Sequence, residues 1–433
     1  MKQLFSRCLL IGSSLFPLST LAADNLWIVY QQARQADPQL QVAAANQAAR
    51  YEARPRALAA LRPTITLNGQ LGYQRQHLAG NAADRYASNN ISLNLTQPIY
   101  HRAAWLALSQ VDKELVQADI QYQVAEQNLM MRLVRAYFGV LGAQDDLRFA
   151  QSEKTAIARQ LEQARQRFEV GLVAMTDVHE VQARSDQASA ALLSAENALD
   201  NAHEVLREMT RTPPPALARL QTDITLQAPT TDQGWVAQAR THNLTLRSAE
   251  LVAMIAQDSV GIQQSAHYPT LALTASLSRS DTRSRTGMDN TNRHIGLQLS
   301  VPIYQGGSVQ AQVRQARFAA QAAQAELTRQ QHAVERQVST AYRGIQTSIG
   351  RVQALQAAQV SAQSALDATR AGFDAGTRTL VDVLNSQRDL YRARRDYAQA
   401  RYQYVLSTLS LYQAVGTLDD THLQQINHWL EPS

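Results

Sequence analysis

The side chains of this 433-residue chain that could do chemistry form no recognisable reaction centre. His179-Glu180 and His203-Glu204 open like a zinc-binding helix motif, but Ala183 and Arg207 stand where the second histidine is required. His101, His267, His294, His332 and His422 are scattered along the chain and read as solvated or interfacial. Gln305-Gly306-Gly307-Ser308 makes a turn into a helix, without the lysine or the spacing of a phosphate loop. The one cysteine, Cys8, falls in an N-terminal leader, so a mature chain has no thiol for catalysis, disulfides or metal. The expectation is no enzyme activity, no cofactor and no metal.

The polar residues of interest gather instead in two stretches that share one frame. In RFEVGLVAMTDVHEVQAR, Phe168, Gly171, Asp177 and Val178 occupy the places that Phe373, Gly376, Asp382 and Val383 occupy in GFDAGTRTLVDVLNSQRDLY. Each stretch ends one long helical pattern and starts another, so both read as tips of helical hairpins in a duplicated chain. Two roles are open for these residues. Thr379 with Asp382 has the spacing of a helix N-cap and a first-turn acid, Thr176 can cap in the same way, and Gly171 and Gly376 suit turns. Alternatively, the charged members are plain surface groups: Arg378 and Asp177, as an exposed pair, are worth under about 1 kcal/mol.

The elements that carry the tips follow from periodicity. Residues 1–23 have a charged start (Lys2, Arg7), an apolar run and small residues at Ala22 and Ala23, the pattern of a secretory signal peptide. The first repeat is expected over 24–211. It has a broken helix at Leu26–Leu61, strands at about 64–77 and 88–100, and a helical hairpin over 101–211. A proline-rich linker, 212–234, precedes the second repeat at 235–413, with strands at about 270–280 and 293–304 and a hairpin over 306–413; 414–433 is a tail in which Trp429 packs on the linker. In the strands Ile65, Leu67, Leu71 and Tyr73 alternate with Thr66, Asn68 and Gln70, and Ile295, Leu297 and Leu299 alternate with Gln298 and Ser300, giving one apolar and one polar face. Both second strands close on the same phrase, Gln97-Pro98-Ile99-Tyr100 and Val301-Pro302-Ile303-Tyr304. The hairpins step in threes and fours through residues such as Leu129, Leu133, Ala136 and Val140, which predicts coiled coils about 100 Å long at ~1.5 Å per residue.

The formal net charge of +5 is spread among scattered arginines and acids, with no basic block, so nucleic acid is not an expected partner. No stretch beyond the leader is apolar enough for a membrane helix. Amphipathic strands can cross lipid only as a closed barrel. Four strands per chain are too few, so copies must complete the wall, and Tyr100, Tyr268 and Tyr304 near the strand ends suit an interfacial girdle.

Taken together, the duplicated strand–strand–long-helix unit, the QPIY and VPIYQGG junctions and the tips VGLVAMTDV and AGTRTLVDVL resemble the TolC family of outer-membrane channels over essentially the whole mature chain. The resemblance implies a mainly α fold with membrane β: a homotrimer whose twelve-stranded outer-membrane β-barrel, four strands per chain, continues into a periplasmic coiled-coil α-barrel. It implies a passive exit duct for drug efflux or type I secretion, joined to an inner-membrane transporter by a periplasmic adaptor protein. It also implies a gate at the periplasmic tip. Asp382 takes the place of the acid that rings the entrance, where mutual repulsion should raise its pKa and attract cations. A second acidic ring is here replaced by Asn385. The latch residues correspond to Arg378, Asp177, Thr176 and Phe373, the last lacking the family's tyrosine hydroxyl, and an outer latch to Gln160 and Arg370, with the acid replaced. Gly171, Leu172, Val173, Gly376 and Thr377 correspond to the tip that meets the adaptor. The alternative class is a periplasmic coiled-coil adaptor, whose strands would fold into small soluble domains instead of an amphipathic wall.

Overall fold

The computed structural model describes residues 25–76, 84–212, 216–221, 224–227, 232–282 and 289–431. The expected leader, 1–23, and Pro213-Pro214-Pro215 lie outside the described residues.

Four strands, β1 (Thr64–Gln76), β2 (Asp84–Tyr100), β3 (Thr270–Thr282) and β4 (Asn290–Ser300), form one antiparallel sheet in the order β1-β2-β3-β4. Within each repeat the ladder keeps the same register: Leu67 faces Leu93 in the first and Leu273 faces Leu297 in the second. Between repeats, Leu93 faces Leu277 and Leu95 faces Ala275. Odd-numbered positions therefore form one apolar face, and it is bare: Leu71 is 83% exposed and Ile295 74%. From Thr64 to Gln74, Ser88 to Thr96, Thr270 to Ser280 and Asn290 to Ser300, the even positions of the other face hold no Asp, Glu, Lys or Arg. Among the described residues, the outer edges of β1 and β4 have no ladder partner.

Some boundaries differ from the expected ones. β2 starts at Asp84, not 88, because the ladder continues through Arg75↔Arg85 and Gln76↔Asp84 after the apolar alternation has stopped. β3 runs on to Thr282 and β4 starts at Asn290 for the same reason. β4 ends at Ser300, not 304. β2 reaches Tyr100 only because β3 pairs with its end, through Pro98↔Ala272 and Tyr100↔Leu271, and the corresponding end of β4 has no such strand beside it.

The helices are α1 (Leu26–Ala36), α2 (Pro38–Tyr51), α3 (Ala53–Ala59), α4 (Arg102–Glu169), α5 (Met175–Thr210), α6 (Asp232–His242), α7 (Leu244–Gln264), α8 (Ser308–Asp374), α9 (Leu380–Val415) and α10 (Asp420–Asn427). α4 and α8 run 68 and 67 residues, about 100 Å at ~1.5 Å per residue. Their return helices, α5 and α9, have 36 residues each. The distal halves pair with these, and the halves nearer the sheet are packed by α2, α3 and α7. No helix among the described residues is long and apolar enough to cross a membrane.

Each repeat breaks its leading helix at a side-chain cap. Asp37 accepts from the Leu40 amide at 3.2 Å, and its counterpart Asn243 accepts from the Leu246 amide at 2.9 Å. The second break carries no proline and is not visible in the helical periodicity of 235–264. Asn243 also donates to the Ala414 carbonyl at 2.8 Å, whereas Asp37 meets the Arg132 guanidinium at 2.5 Å.

The main core lies at mid-height. Tyr30, Leu129, Met131, Leu133, Tyr137, Leu141, Leu206, Leu409 and Leu423 are fully buried there between α1, α4, α5, α9 and α10. Linker and tail clasp it: the Gln221 amide donates to the Trp429 carbonyl at 2.8 Å, the Glu431 amide to the Arg219 carbonyl at 2.7 Å, and Leu220 bridges Leu430. The Tyr137 hydroxyl donates to the Ala218 carbonyl at 2.8 Å, and Arg401 donates to the Leu220 and Gln221 carbonyls. Trp429 stacks on Tyr404, so the tail holds the linker against α9.

Candidate functional site

The hairpin ends opposite the sheet concentrate the candidate residues. The first tip turns at Gly171, φ +74°, and the second at Gly376, φ +77°, a backbone region that strains any residue with a Cβ. Both turns close alike: the Leu172 amide donates to the Arg167 carbonyl and the Thr377 amide to the Gly372 carbonyl, each at 2.8 Å. Leu172 stands 73% exposed beside Val170 and Met175, and Gly171, Gly376 and Thr377 are exposed as well, with Val173 half-buried.

The two tips start their return helices differently. Thr379 and Asp382 make a full capping box: the Asp382 amide donates to Thr379 Oγ1 at 3.2 Å, and Asp382 Oδ2 accepts from the Thr379 amide and from Thr379 Oγ1, each at 2.9 Å. These bonds hold the Asp382 carboxyl below its ordinary range, the backbone bond first, with Arg378 adding to the effect. Within one protomer the shift is thus opposite to the one that a ring of like charges would cause. In the first tip Ala174 stands at the cap, so only half of the box exists, with the Ala174 amide donating to Asp177 at 3.3 Å. Thr176 is the second residue of α5 and is exposed; it is not the cap.

Arg378 is exposed and forms no ion pair with Asp177 in the chain; its stem lies against Gly372, where a Cβ would come within 2.8 Å of Arg378 Cγ. Phe373 meets a different group: the Arg167 guanidinium sits 4.7 Å over its ring. Gln160 does not reach Arg370. Its amide donates to Gln387 Oε1 at 3.0 Å, on a residue only 4% exposed, and Gln160 Oε1 is buried without a partner. Arg370 stays exposed, lining the same groove of about 650 Å³ between the hairpins as Arg167, Phe373 and Gln387. Asn385 is half-buried, one turn below Asp382. Arg167 and Gln387 are the two groups here that sequence alone does not single out, since each acts through a partner on the other hairpin.

The apolar packing binds the hairpins in the same region. Leu384 of α9 joins Ile157, Leu161, Ala164, Val178 and Val181 of the first hairpin, while Val383 turns to Leu366 and Leu390 within the second. Adjacent residues of α9 thus serve separate clusters, and Asp382 precedes them at the solvent end.

An open amphipathic sheet with a bare apolar face, set at one end of ~100 Å helical hairpins, defines a subunit of an outer-membrane β-barrel channel with a helical extension. The profile of the outer membrane efflux protein family matches residues 29–210 and 235–417, one match per repeat, and the chain belongs to that family. It is 39% identical to the outer membrane protein TolC of Vibrio cholerae over 98% of both chains. It is 28% identical to the proteases secretion protein PrtF of Dickeya chrysanthemi, over 83% of this chain and 79% of that one. Its fold matches the crystal structure of the Campylobacter jejuni CmeC outer membrane channel with a TM-score of 0.81 at 15% identity, covering 94% of this chain and 90% of that one. The protein is an outer-membrane channel of the efflux and type I secretion class, in a family of transport channels and not of enzymes.

Proposed function

We propose that the protein is a homotrimeric, passive export duct without enzymatic activity. It takes cargo from an inner-membrane transporter through a periplasmic adaptor and is gated at the hairpin tips. The observation that carries this reading is the sheet: four strands with a bare apolar face and two unpaired edges need about eight more strands to close in lipid as a trimer. Purification in detergent followed by planar-bilayer recording tests it. A trimer with discrete, long-lived conductance steps is expected; a water-soluble monomer that does not conduct would end the reading. Exposed Val170, Leu172 and Met175, with the Gly171 and Gly376 turns, give an adaptor an apolar point of contact.

The proposed gate uses contacts within a protomer and a further link between protomers. Inside one chain, Arg167 on Phe373 and Gln160 on Gln387 tie the first hairpin to the second. Between chains, the unpaired Arg378 is free to reach Thr176 and Asp177 of a neighbour. Arg378→Ala or Asp177→Ala is then expected to raise single-channel conductance with trimer yield unchanged; equal conductance would remove those two residues from the gate.

Asp382 supplies the charge at the entrance, and Asn385 leaves it as a single acidic ring. Asp382→Ala is expected to weaken block by divalent or trivalent cations added on the periplasmic side. The cap ties this block to pH. A lowered carboxyl pKa means that the cap's contribution to stability is present above the ordinary carboxylate range and is lost as pH falls through the lowered value. Thr379→Ala removes the hydroxyl bond, so cation block should titrate away at a higher pH than in the parent; an unshifted titration would show that the cap does not set the ring's protonation.

A further inference from the structure

The apolar face of the sheet changes character at its loop end. Toward the helices its odd positions are uncharged, from Ile65 to Tyr73 in β1, Ala87 to Ile99 in β2, Leu271 to Leu277 in β3 and Ile295 to Leu299 in β4. Beyond them stand Arg75, Arg85, Arg279 and Arg293, all at odd positions and all exposed. Asp281 is the one acid at an odd position of the four strands, and among the described residues no ion pair joins it to these arginines.

The ladder sets the arginines in two pairs, one per repeat. Arg75 lies directly opposite Arg85. Arg279 lies opposite Thr291 and Arg293 opposite Leu277, so Arg279 and Arg293 are diagonal neighbours about 7–8 Å apart, within reach of long side chains. Like charges set against each other weaken a sheet. Each pair presents two guanidinium forks over one gap, and a phosphate group placed there accepts from both.

Height in the membrane says what fills the gap. Arg75 stands ten residues beyond Ile65. At ~3.3 Å per residue and a barrel tilt of about 40°, that is about 25 Å of height, the full apolar band of an outer-membrane barrel. Arg75 and Arg85 therefore emerge at the band's outer margin, at the level of the lipid headgroups. Pro63 corresponds to Pro269 and Pro98 to Pro302, which puts the places of Arg75 and Arg85 at 281 and 289 in the second repeat. Arg279 and Arg293 stand two and four residues nearer the helices than those places, about 5 and 10 Å deeper. A guanidinium facing lipid at such a depth is costly. Its stem extends along the wall toward the headgroups, and an anion that meets it there offsets the cost.

We propose that the two arginine pairs bind phosphate groups of outer-leaflet lipids, whose acyl chains lie along the apolar band beneath. The occupant is a lipid because the pairs open onto the bare wall that carries Leu71, Tyr73 and Ile295, where an acyl chain has apolar surface to cover. The deeper pair, Arg279 with Arg293, is farther from water and holds its phosphate more tightly. The inference needs the sheet in the membrane and is independent of the gate.

Lipid binding to the delipidated, detergent-solubilised protein tests this, with native mass spectrometry counting the lipids retained per chain. The probes are bis-phosphorylated lipid A and the same lipid stripped of its phosphates. The parent is expected to bind the phosphorylated form about tenfold more tightly, the scale of one hydrogen bond to a charged group. Arg279→Leu/Arg293→Leu should abolish that preference at the tighter site, and Arg75→Leu/Arg85→Leu at the weaker one. Leucine suits a lipid-facing wall, so both variants should fold, which heat-modifiable migration checks. Arg279→Lys/Arg293→Lys keeps the charge, loses the fork and should fall between. Inorganic phosphate at equal concentration should compete poorly, since it brings no acyl chain. Equal binding of the two lipids by the parent overturns the proposal without recourse to any variant. A fourfold leucine variant that still prefers the phosphorylated lipid overturns it as well, as does full displacement by inorganic phosphate.

Discussion

The double variant Arg167→Ala/Gln387→Ala is expected to shift the reconstituted channel to a high-conductance state, with a larger effect than any tip substitution above. Two bonds within each protomer hold the first hairpin to the second near its end. A cation–π contact that is partly exposed contributes about 0.5–1 kcal/mol, and a buried amide hydrogen bond about 1 kcal/mol net. Losing both in all three protomers of the proposed trimer removes on the order of 5 kcal/mol, enough to carry a two-state equilibrium from nearly all closed to nearly all open. The signature differs from that of a charge latch. Neither bond joins two ions, so the share of closure that they supply should depend little on salt, in contrast to the share supplied by the proposed Arg378–Asp177 link, which is screened over ~8–10 Å. Phe373→Leu, which keeps the bulk and removes the ring, should reproduce the Arg167→Ala half of the effect. If the double variant keeps the parent's conductance at low and high salt alike, these bonds do not restrain the gate.

The second large effect is expected at Asp37, far from the gate. This carboxylate is 2% exposed, caps α2 through the Leu40 amide and faces Arg132 of α4. Asp37→Ala removes the cap and leaves the half-buried Arg132 guanidinium without its acid, a loss of roughly 3 kcal/mol, the low end for breaking a buried pair because Arg132 keeps some access to water. Thermal melting followed by helical circular dichroism should move down by several degrees. Arg132→Met added to Asp37→Ala should recover part of the loss, since an apolar pair of similar volume has no charge left to desolvate. Asp37→Asn should cost less than Asp37→Ala, because asparagine already caps the equivalent break at residue 243. Equal melting of Asp37→Ala and the parent would mean that water reaches the pair in solution.

Residues that answer to a repeating period could be read directly from the chain. Alternation through Ile65, Leu67 and Leu71 placed β1 because one face of each strand needs a different solvent from the other, and the three-and-four stepping from Leu129 to Val140 marked α4. The duplicated tips located the turns at Gly171 and Gly376 because positive φ selects glycine. The features that escaped have no local signature. The helix break at Asn243 is made by one side chain returning to the backbone, in a sequence whose helical period continues unbroken. The partners of Gln160 and Phe373 sit on another hairpin, and glutamine has no charge to advertise a mate. β4 has no strand beside its end as β2 has in β3, and so that end was expected four residues too late by analogy with β2.

The polar face of the sheet has a last implication. Over Thr64–Gly72, Ser88–Thr96, Thr270–Ser280 and Asn290–Ser300 this face is surfaced mainly by serine, threonine, asparagine and glutamine, with His294 its single titratable side chain, and a bore lined by it offers migrating ions neither a counter-charge nor a repelling one along that stretch. Salt gradients across the barrel should generate little diffusion potential of either sign, and cargo of any charge would meet the same reception. Discrimination would then belong to the entrance and to whatever loads the duct, and this stretch of wall would be indifferent to what it carries.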